Sequence, residues 1–78
     1  MVLDTPGSEI YIGRYFERRE EGVVLLDVDF HHDGDEGRSK QDFVSNAARF
    51  GQWKKLQSKT VPPEQITSIT RLADHAQR

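Results

Sequence analysis

The sequence predicts a small α+β domain in which an antiparallel β-hairpin precedes two helices, a ββαα order. Two runs of alternating apolar residues stand on either side of a glycine-containing turn, which is the pattern of a hairpin. Two later segments place apolar residues three and four positions apart, which is the pattern of amphipathic helices. A chain of 78 residues has room for one hydrophobic core. We therefore expect residues 9–78 to form a single α+β domain.

The first eight residues, MVLDTPGS, are expected to lie outside that domain. They contain a Pro-Gly pair, which favours a turn, and they show neither helical nor strand periodicity. Chain ends without such a pattern are usually held by few contacts. The sequence therefore predicts a flexible N-terminal arm over residues 1–8.

The hairpin is predicted from the two runs EIYIGRYFERR and GVVLLDVDFHH. Both alternate and are rich in β-branched and aromatic residues, which pack well on a pleated sheet. Gly22 tolerates the positive φ that a tight connection between the runs requires. In the second run Leu26 and Phe30 share one apolar parity, so we expect both in the core. A helix over residues 8–22 is the alternative, because Ser8 can cap its start and Gly22 can end it.

The first helix is predicted to begin at Lys40. Ser39 suits the N-cap position, and Asp42 three residues later completes a carboxylate variant of the capping box. The residues that follow on one helical face are all apolar, namely Phe43, Val44, Ala47 and Phe50. Gly51 is expected to end or bend this helix.

The second helix is predicted in the segment TVPPEQITSITRLADHAQR. Pro63 suits the first helical position, and Glu64 next to it complements the helix dipole. Val61 is placed to pack against Ile66 as a hydrophobic staple at the start of the helix. The spacing of three and four then defines an apolar stripe made of Ile66, Ile69, Leu72, Ala73 and Ala76.

The net charge of −2 conceals an uneven distribution along the chain. Residues 1–37 carry three basic side chains against ten acidic ones, whereas residues 38–78 carry eight basic against three acidic. Such asymmetry favours an interaction role, because each half attracts an oppositely charged surface. The alternative is that the two halves neutralise each other within one fold.

Cysteine and apolar content restrict the class of protein. The chain has no cysteine, which excludes disulfides, thiolate nucleophiles and cysteine-bound zinc, and which fits a cytoplasmic location. The longest apolar run is Val23–Leu26, far below the roughly 20 residues that a membrane helix needs. We therefore expect a protein that does not act in a membrane.

The first candidate site is the segment DVDFHHDGDEG, residues 27–37, because it combines five acidic side chains with two histidines. It fails as a calcium loop, since counting from Asp29 puts Lys40 where the bidentate glutamate belongs. His31 and His32 are neighbours on a strand and point to opposite faces, so we do not expect them to share a metal ion. Asp27 and Asp29 lie on one face about 7 Å apart, a spacing that suits hydrolytic or two-metal chemistry.

Catalysis at these carboxylates also needs an enclosed pocket, which two strands and two helices seldom form. We therefore expect no enzyme activity, no bound metal and no cofactor, and we interpret residues 27–36 as a solvated strand end and loop. On that interpretation Asp27 and Asp29 pair across the hairpin with Arg14 or Arg18. A small metal-dependent enzyme centred on these residues is the alternative.

The second candidate site is the segment ARFGQWKKLQSK, which interleaves cations with aromatic rings. Such a segment can bind phosphates and stack on bases, or it can present a tryptophan anchor with a lysine rim to a protein. Tyr11 and Tyr15 add aromatic surface that two helices would not fully cover. The predicted partner-binding residues are therefore Trp53, Lys54, Lys55, Arg49, Tyr11 and Tyr15.

These patterns together predict a small non-catalytic intracellular interaction or regulatory protein. Its expected partner is another protein or a second copy of itself as a dimer, because a two-stranded sheet covered by helices on one side leaves its other face open. No small-molecule substrate is expected. One alternative is a nucleic-acid-binding module that uses residues 49–59. Another is an acidic decoy whose N-terminal half blocks a basic partner.

Overall fold

The computed structural model describes residues 1–51 and 53–75 of the protein, and over these ranges it contains a five-stranded antiparallel sheet and one α-helix. The order across the sheet is β4-β3-β2-β1-β5. Short 3-10 turns lie at Asp35–Gly37, Pro63–Gln65 and Leu72–His75. The longer elements are β1 (Val2–Asp4), β2 (Glu9–Arg19), β3 (Gly22–His32), α1 (Lys40–Phe50), β4 (Leu56–Val61) and β5 (Ser68–Thr70).

The predicted hairpin and the first predicted helix are confirmed. Strands β2 and β3 pair antiparallel over the two runs identified from the sequence, so the alternative helix over residues 8–22 is wrong. Helix α1 begins at Lys40, and the Ser39 hydroxyl accepts a hydrogen bond from the Asp42 N–H at 3.1 Å. The Asp42 carboxylate accepts from the Ser39 N–H, which completes the capping box. No helix in the described ranges is long and apolar enough to cross a membrane.

The predicted second helix is wrong, so the fold is not ββαα. Val61 is the last residue of β4 and is fully buried opposite Val23, while Pro63 begins a 3-10 turn. Ser68–Thr70 then forms β5. The segment contains the β-branched residues Thr60, Val61, Ile66, Thr67, Ile69 and Thr70, whose stiff side chains favour strands over helices. Ala76, the last residue of the predicted stripe, lies outside the described residues.

Residues 1–8, predicted as an arm, contain a strand inside the sheet. Strand β1 pairs with β2 through Val2 opposite Ile12, and with β5 through Val2 opposite Thr70. Val2 and Leu3 are buried. The sequence gives only a weak signal for this strand, because the strand has three residues. Its pairing with β5 involves residues far away along the chain, which local periodicity does not record.

A bulge in β3 changes which residues of the hairpin face the core. Between the pairs Ile12–Asp29 and Arg14–Leu26, β3 contains one residue more than β2, and Asp27 adopts a φ of 53°. The alternation of side chains reverses there, because one extra residue moves the following side chains to the other face. Leu26, which precedes the bulge, and Phe30, which follows it, were predicted as core residues but are only half-buried.

Both faces of the sheet are covered by apolar side chains. On one face Val2, Ile10 and Ile12 pack against Phe43, Val44 and Ala47 of α1, and Leu72 adds to this cluster. On the other face the buried cluster consists of Leu3, Val23, Leu25, Val28 and Val61. Tyr11, Ile66 and Ile69 pack against that second cluster, so the segment after β4 closes over the face that the sequence analysis left open.

Candidate functional site

A groove of about 450 Å³ lies between the C-terminal half of α1, the segment 53–55 and strand β3. Residues 36–38 close one of its sides. Its volume falls within the range of ~300–1,000 Å³ that is usual for ligand sites. The groove lies on the face of the sheet that α1 covers, because Phe43, Ala47 and Asp29 all line it.

A buried carboxylate, Asp29, fixes the wall of this groove. Its side chain is 2% exposed. One carboxylate oxygen accepts a hydrogen bond from the Trp53 N–H at 3.0 Å, and the other accepts from the Phe30 N–H at 2.9 Å. The Lys55 ammonium lies 3.1 Å from the second oxygen. Asp29 therefore ties the segment after α1 to strand β3.

The Lys55 ammonium occupies a site formed by β3 and α1. Besides Asp29, it donates a hydrogen bond to the Phe30 carbonyl oxygen at 2.8 Å. It also lies 4.9 Å from the centre of the Phe30 ring and 5.7 Å from that of Phe43, within the range of cation–π attraction. Lys55 is thus a partly exposed side chain whose charge is compensated by Asp29 within the protein.

Lys54 pairs with the carboxylate of Asp27 at the bulge of β3. Its ammonium lies 3.4 Å from Asp27, and the Arg14 guanidinium contacts the same carboxylate at 2.8 Å. The hydrogen bond from Arg14 lowers the pKa of the Asp27 carboxyl below its ordinary value, and the hydrogen bond from Lys54 adds to this effect against an opposing effect of desolvation. Lys40 likewise pairs with Asp4 at 2.9 Å. Three lysines of the basic half therefore neutralise aspartates of the acidic half.

The exposed part of the groove is aromatic. Phe50 and Trp53 both line it, and each is 79% exposed. Phe43 below them is buried and stacks on the His31 ring with 4.8 Å between ring centres. The sequence pattern placed Phe50 on the apolar face of α1, but the buried part of that face ends at Ala47.

The structure brings together only some of the predicted partner-binding residues. Trp53, Lys54 and Lys55 lie at or beside the groove, and Arg49 is exposed on α1. Tyr11 packs on the opposite face of the sheet, where burial and then the charge of Glu9 raise the pKa of its phenol. Tyr15 is cross-strand from Leu25, which belongs to that same opposite face, and is 45% exposed.

Sequence reasoning missed most of the groove lining. Arg38 and Asn46 belonged to no predicted site, and Glu36 and Asp29 were assigned only to the acidic segment, as surface or catalytic carboxylates. One available signal was the glycine directly after Phe50, because a helix that ends at an aromatic residue leaves its ring without a following turn to pack on. The role of Asp29 had no sequence signal, since Trp53 is 24 residues away.

The histidines lie on opposite faces of β3, as predicted from their adjacency. His31 is 5% exposed and its Nε2 is 2.9 Å from the Arg38 carbonyl oxygen, while His32 is exposed near Glu9 and Asp35. Within residues 1–51 and 53–75, no three histidine, aspartate or glutamate side chains converge as a metal site would require. The pair Asp27 and Asp29 is likewise separated in role, because each carboxylate holds a different lysine.

Comparison with known proteins gives no relative from which a function can be transferred. No protein-family model, no curated protein and no solved structure matches the chain significantly.

Proposed function

We propose that this chain is a protein-interaction module whose groove between α1 and the segment 53–55 binds a protein partner. The observation that carries the proposal is the pair of large aromatic side chains, Phe50 and Trp53, each 79% exposed on the same groove. Large aromatic residues dominate the energetics of interfaces because they bury much apolar area for few rotatable bonds. Both would act as anchors.

The way Trp53 is held supports this role. Its backbone N–H is bound to the buried Asp29 carboxylate, and the neighbouring Lys55 N–H donates to the Val28 carbonyl oxygen at 2.8 Å. A segment ordered before binding loses less conformational entropy in the complex. The rigid attachment of an exposed tryptophan therefore favours binding over a purely structural use of this residue.

Nucleic-acid binding through residues 49–59 is the less favoured reading. Phosphate recognition by Lys54 and Lys55 requires both ammonium groups to leave Asp27 and Asp29. The two carboxylates then exposed would repel a polyanion. The acidic-decoy alternative has the same weakness, since part of the acidic charge is neutralised within the fold.

Self-association is a weaker form of the same proposal. The sequence argument for a dimer assumed an open sheet face, but that face is occupied by the cluster around Leu25 and Val61. The outer edges of β4 and of the short strand β5 are the elements left to pair with a second copy in the described ranges, and β4 is the longer of the two. Lys59 on this edge is a residue type that discourages pairing between edges. An intracellular partner fits a chain without cysteine.

The test compares partner capture by the wild type, by Trp53→Ala and by Phe16→Ala. Phe16 is a matched control because it is an exposed aromatic residue, 52% exposed, that does not line the groove. We expect the wild type and Phe16→Ala to retain the same partner protein, and Trp53→Ala to bind it more weakly by about 2 kcal/mol, as for an interface hot spot.

Two results would reject the proposal. Equal affinity of the purified partner for the wild type and Trp53→Ala, measured by calorimetry, would remove the groove from the interface. Loss of the captured protein after nuclease treatment, together with a steep fall of affinity with salt, would show that residues 49–59 bind nucleic acid.

A further inference from the structure

Among the described residues, every charged side chain that lines the groove is already paired with another. Asp29 is paired with Lys55 at 3.1 Å, and Glu36 is paired with Arg38 at 3.0 Å. The lining therefore has no net charge and no single charged group left over for a ligand. A charged ligand would have to compete with these pairs, whereas an uncharged one leaves them in place.

The features of the groove that remain available to a ligand are its exposed aromatic surface and the side-chain amide of Asn46. Phe50 and Trp53 supply the exposed rings. The exposed Asn46 side chain also lines the groove, and within the described ranges its amide makes no hydrogen bond to another protein group. An unpaired amide beside aromatic rings is suited to a peptide backbone, because it can both donate to a carbonyl and accept from an N–H.

We propose, building on the protein-binding function above, that the groove takes an extended, uncharged peptide segment that contains proline. Such segments adopt the polyproline II conformation, which has no internal hydrogen bonds and so leaves its carbonyl groups free for a partner. Their proline rings dock between aromatic side chains, and the preformed backbone loses little entropy on binding. Phe50 and Trp53 provide the rings, and Asn46 provides the backbone contact.

The other common modes of peptide binding fit this groove less well. Strand addition needs free backbone groups, but the Trp53 and Lys55 N–H groups on this wall are already bound to Asp29 and to the Val28 carbonyl oxygen. A helix, about 10–12 Å across with its side chains, would place its apolar stripe against the Asn46 amide and the Asp29–Lys55 pair. It would leave the amide without a hydrogen bond.

The test is a selection of random twelve-residue peptides displayed on phage against the folded wild-type protein, with prior depletion on Trp53→Ala. We expect the enriched peptides to contain proline and to lack net charge. Trp53 is the single tryptophan of the chain, so its fluorescence reports binding of synthetic copies directly. The affinity of these copies is expected to change less than about twofold between low and high salt, because no ion pair forms.

Two variants separate the steps of the argument. Asn46→Ala is expected to weaken binding of the selected peptides about fivefold by loss of the backbone hydrogen bond. Phe16→Ala, the matched control, is expected to bind them like the wild type. Unchanged affinity of Asn46→Ala would overturn the assigned role of the amide.

The outcomes distinguish this inference from the proposed function. If the peptides that depend on Trp53 are charged or lack proline, the inference is wrong while binding of proteins through the groove stands. If no enriched peptide distinguishes the wild type from Trp53→Ala, both are wrong. A concentration-dependent shift of Trp53 fluorescence in the protein alone would identify a second copy as the occupant and would also overturn the inference.

Discussion

Replacing Asp29 with alanine is expected to destabilise the protein far more than replacing any other carboxylate in residues 27–36. Asp29 is the buried member of this acidic segment, and it receives two backbone N–H groups and one ammonium. The substitution would leave the N–H groups of Phe30 and Trp53 without their acceptor, and it would remove the partner of Lys55.

The cost follows from these three contacts. A buried donor left without an acceptor costs about 1–3 kcal/mol. Breaking a buried ion pair costs about 3–5 kcal/mol, but the Lys55 side chain is 46% exposed and its ammonium can turn into water. With about 1 kcal/mol for each of the two N–H groups and a discounted value of about 1 kcal/mol for the ion pair, we expect Asp29→Ala to lower the free energy of unfolding by about 3 kcal/mol. Asp29→Asn keeps one acceptor and is expected to lose about half as much.

The assay is urea unfolding followed by circular dichroism, combined with acrylamide quenching of Trp53. Lys55→Met keeps the apolar stem near Phe30 and Phe43, so the cycle of Asp29→Asn with Lys55→Met isolates the ion pair, for which we expect a coupling of about 1 kcal/mol. Asp27→Asn is the matched control, because asparagine tolerates the positive φ at this bulge and the carboxylate there is exposed.

A loss of less than about 0.5 kcal/mol in Asp29→Ala, the usual size of a surface effect, would refute the assigned role of Asp29. An Asp27→Asn variant that unfolds at lower urea than Asp29→Asn would refute it as well. Either result would mean that the segment 53–55 is held by contacts other than this carboxylate.

Three further predictions concern the core, a turn and a titrating group. Leu25→Ala should cost about 2–5 kcal/mol because Leu25 is fully buried, whereas Phe50→Ser should change stability by less than about 0.5 kcal/mol, both measured by urea unfolding. Gly22→Ala should cost about 2 kcal/mol or more, since φ is 144° there and a Cβ would overlap a β4 carbonyl; an unchanged midpoint would contradict the register. The Asp27 carboxyl, whose folded pKa is lowered from 3.8, contributes stability at neutral pH that is lost as the pH falls through the folded value. Nuclear magnetic resonance titration should show that Arg14→Gln raises this pKa, and an unchanged value would show that the contact is not kept in solution.

The candidate site could be predicted only in part, because its chemistry depends on side chains that are distant in sequence. The basic-aromatic composition of residues 49–55 identified the segment, in which Phe50 and Trp53 are each 79% exposed. The prediction that Lys54 and Lys55 are available to a ligand did not anticipate that Asp27 and Asp29, more than twenty residues earlier, compensate both charges.

Short-range signals determined the hairpin and the start of α1. Alternation defines a strand within ten residues, and the capping box joins Ser39 to Asp42 three positions later, so both patterns are complete in the local sequence. Strands β1, β4 and β5 were decided by tertiary structure. Their short segments acquire strand geometry only by pairing with residues far along the chain, as Val2 does with Thr70 and Val61 with Val23. The bulge at Asp27 was likewise decided by tertiary structure, because an added residue in a strand is stable only against a partner strand and a packed core. The bulge in turn decides which side chains of β3 are buried.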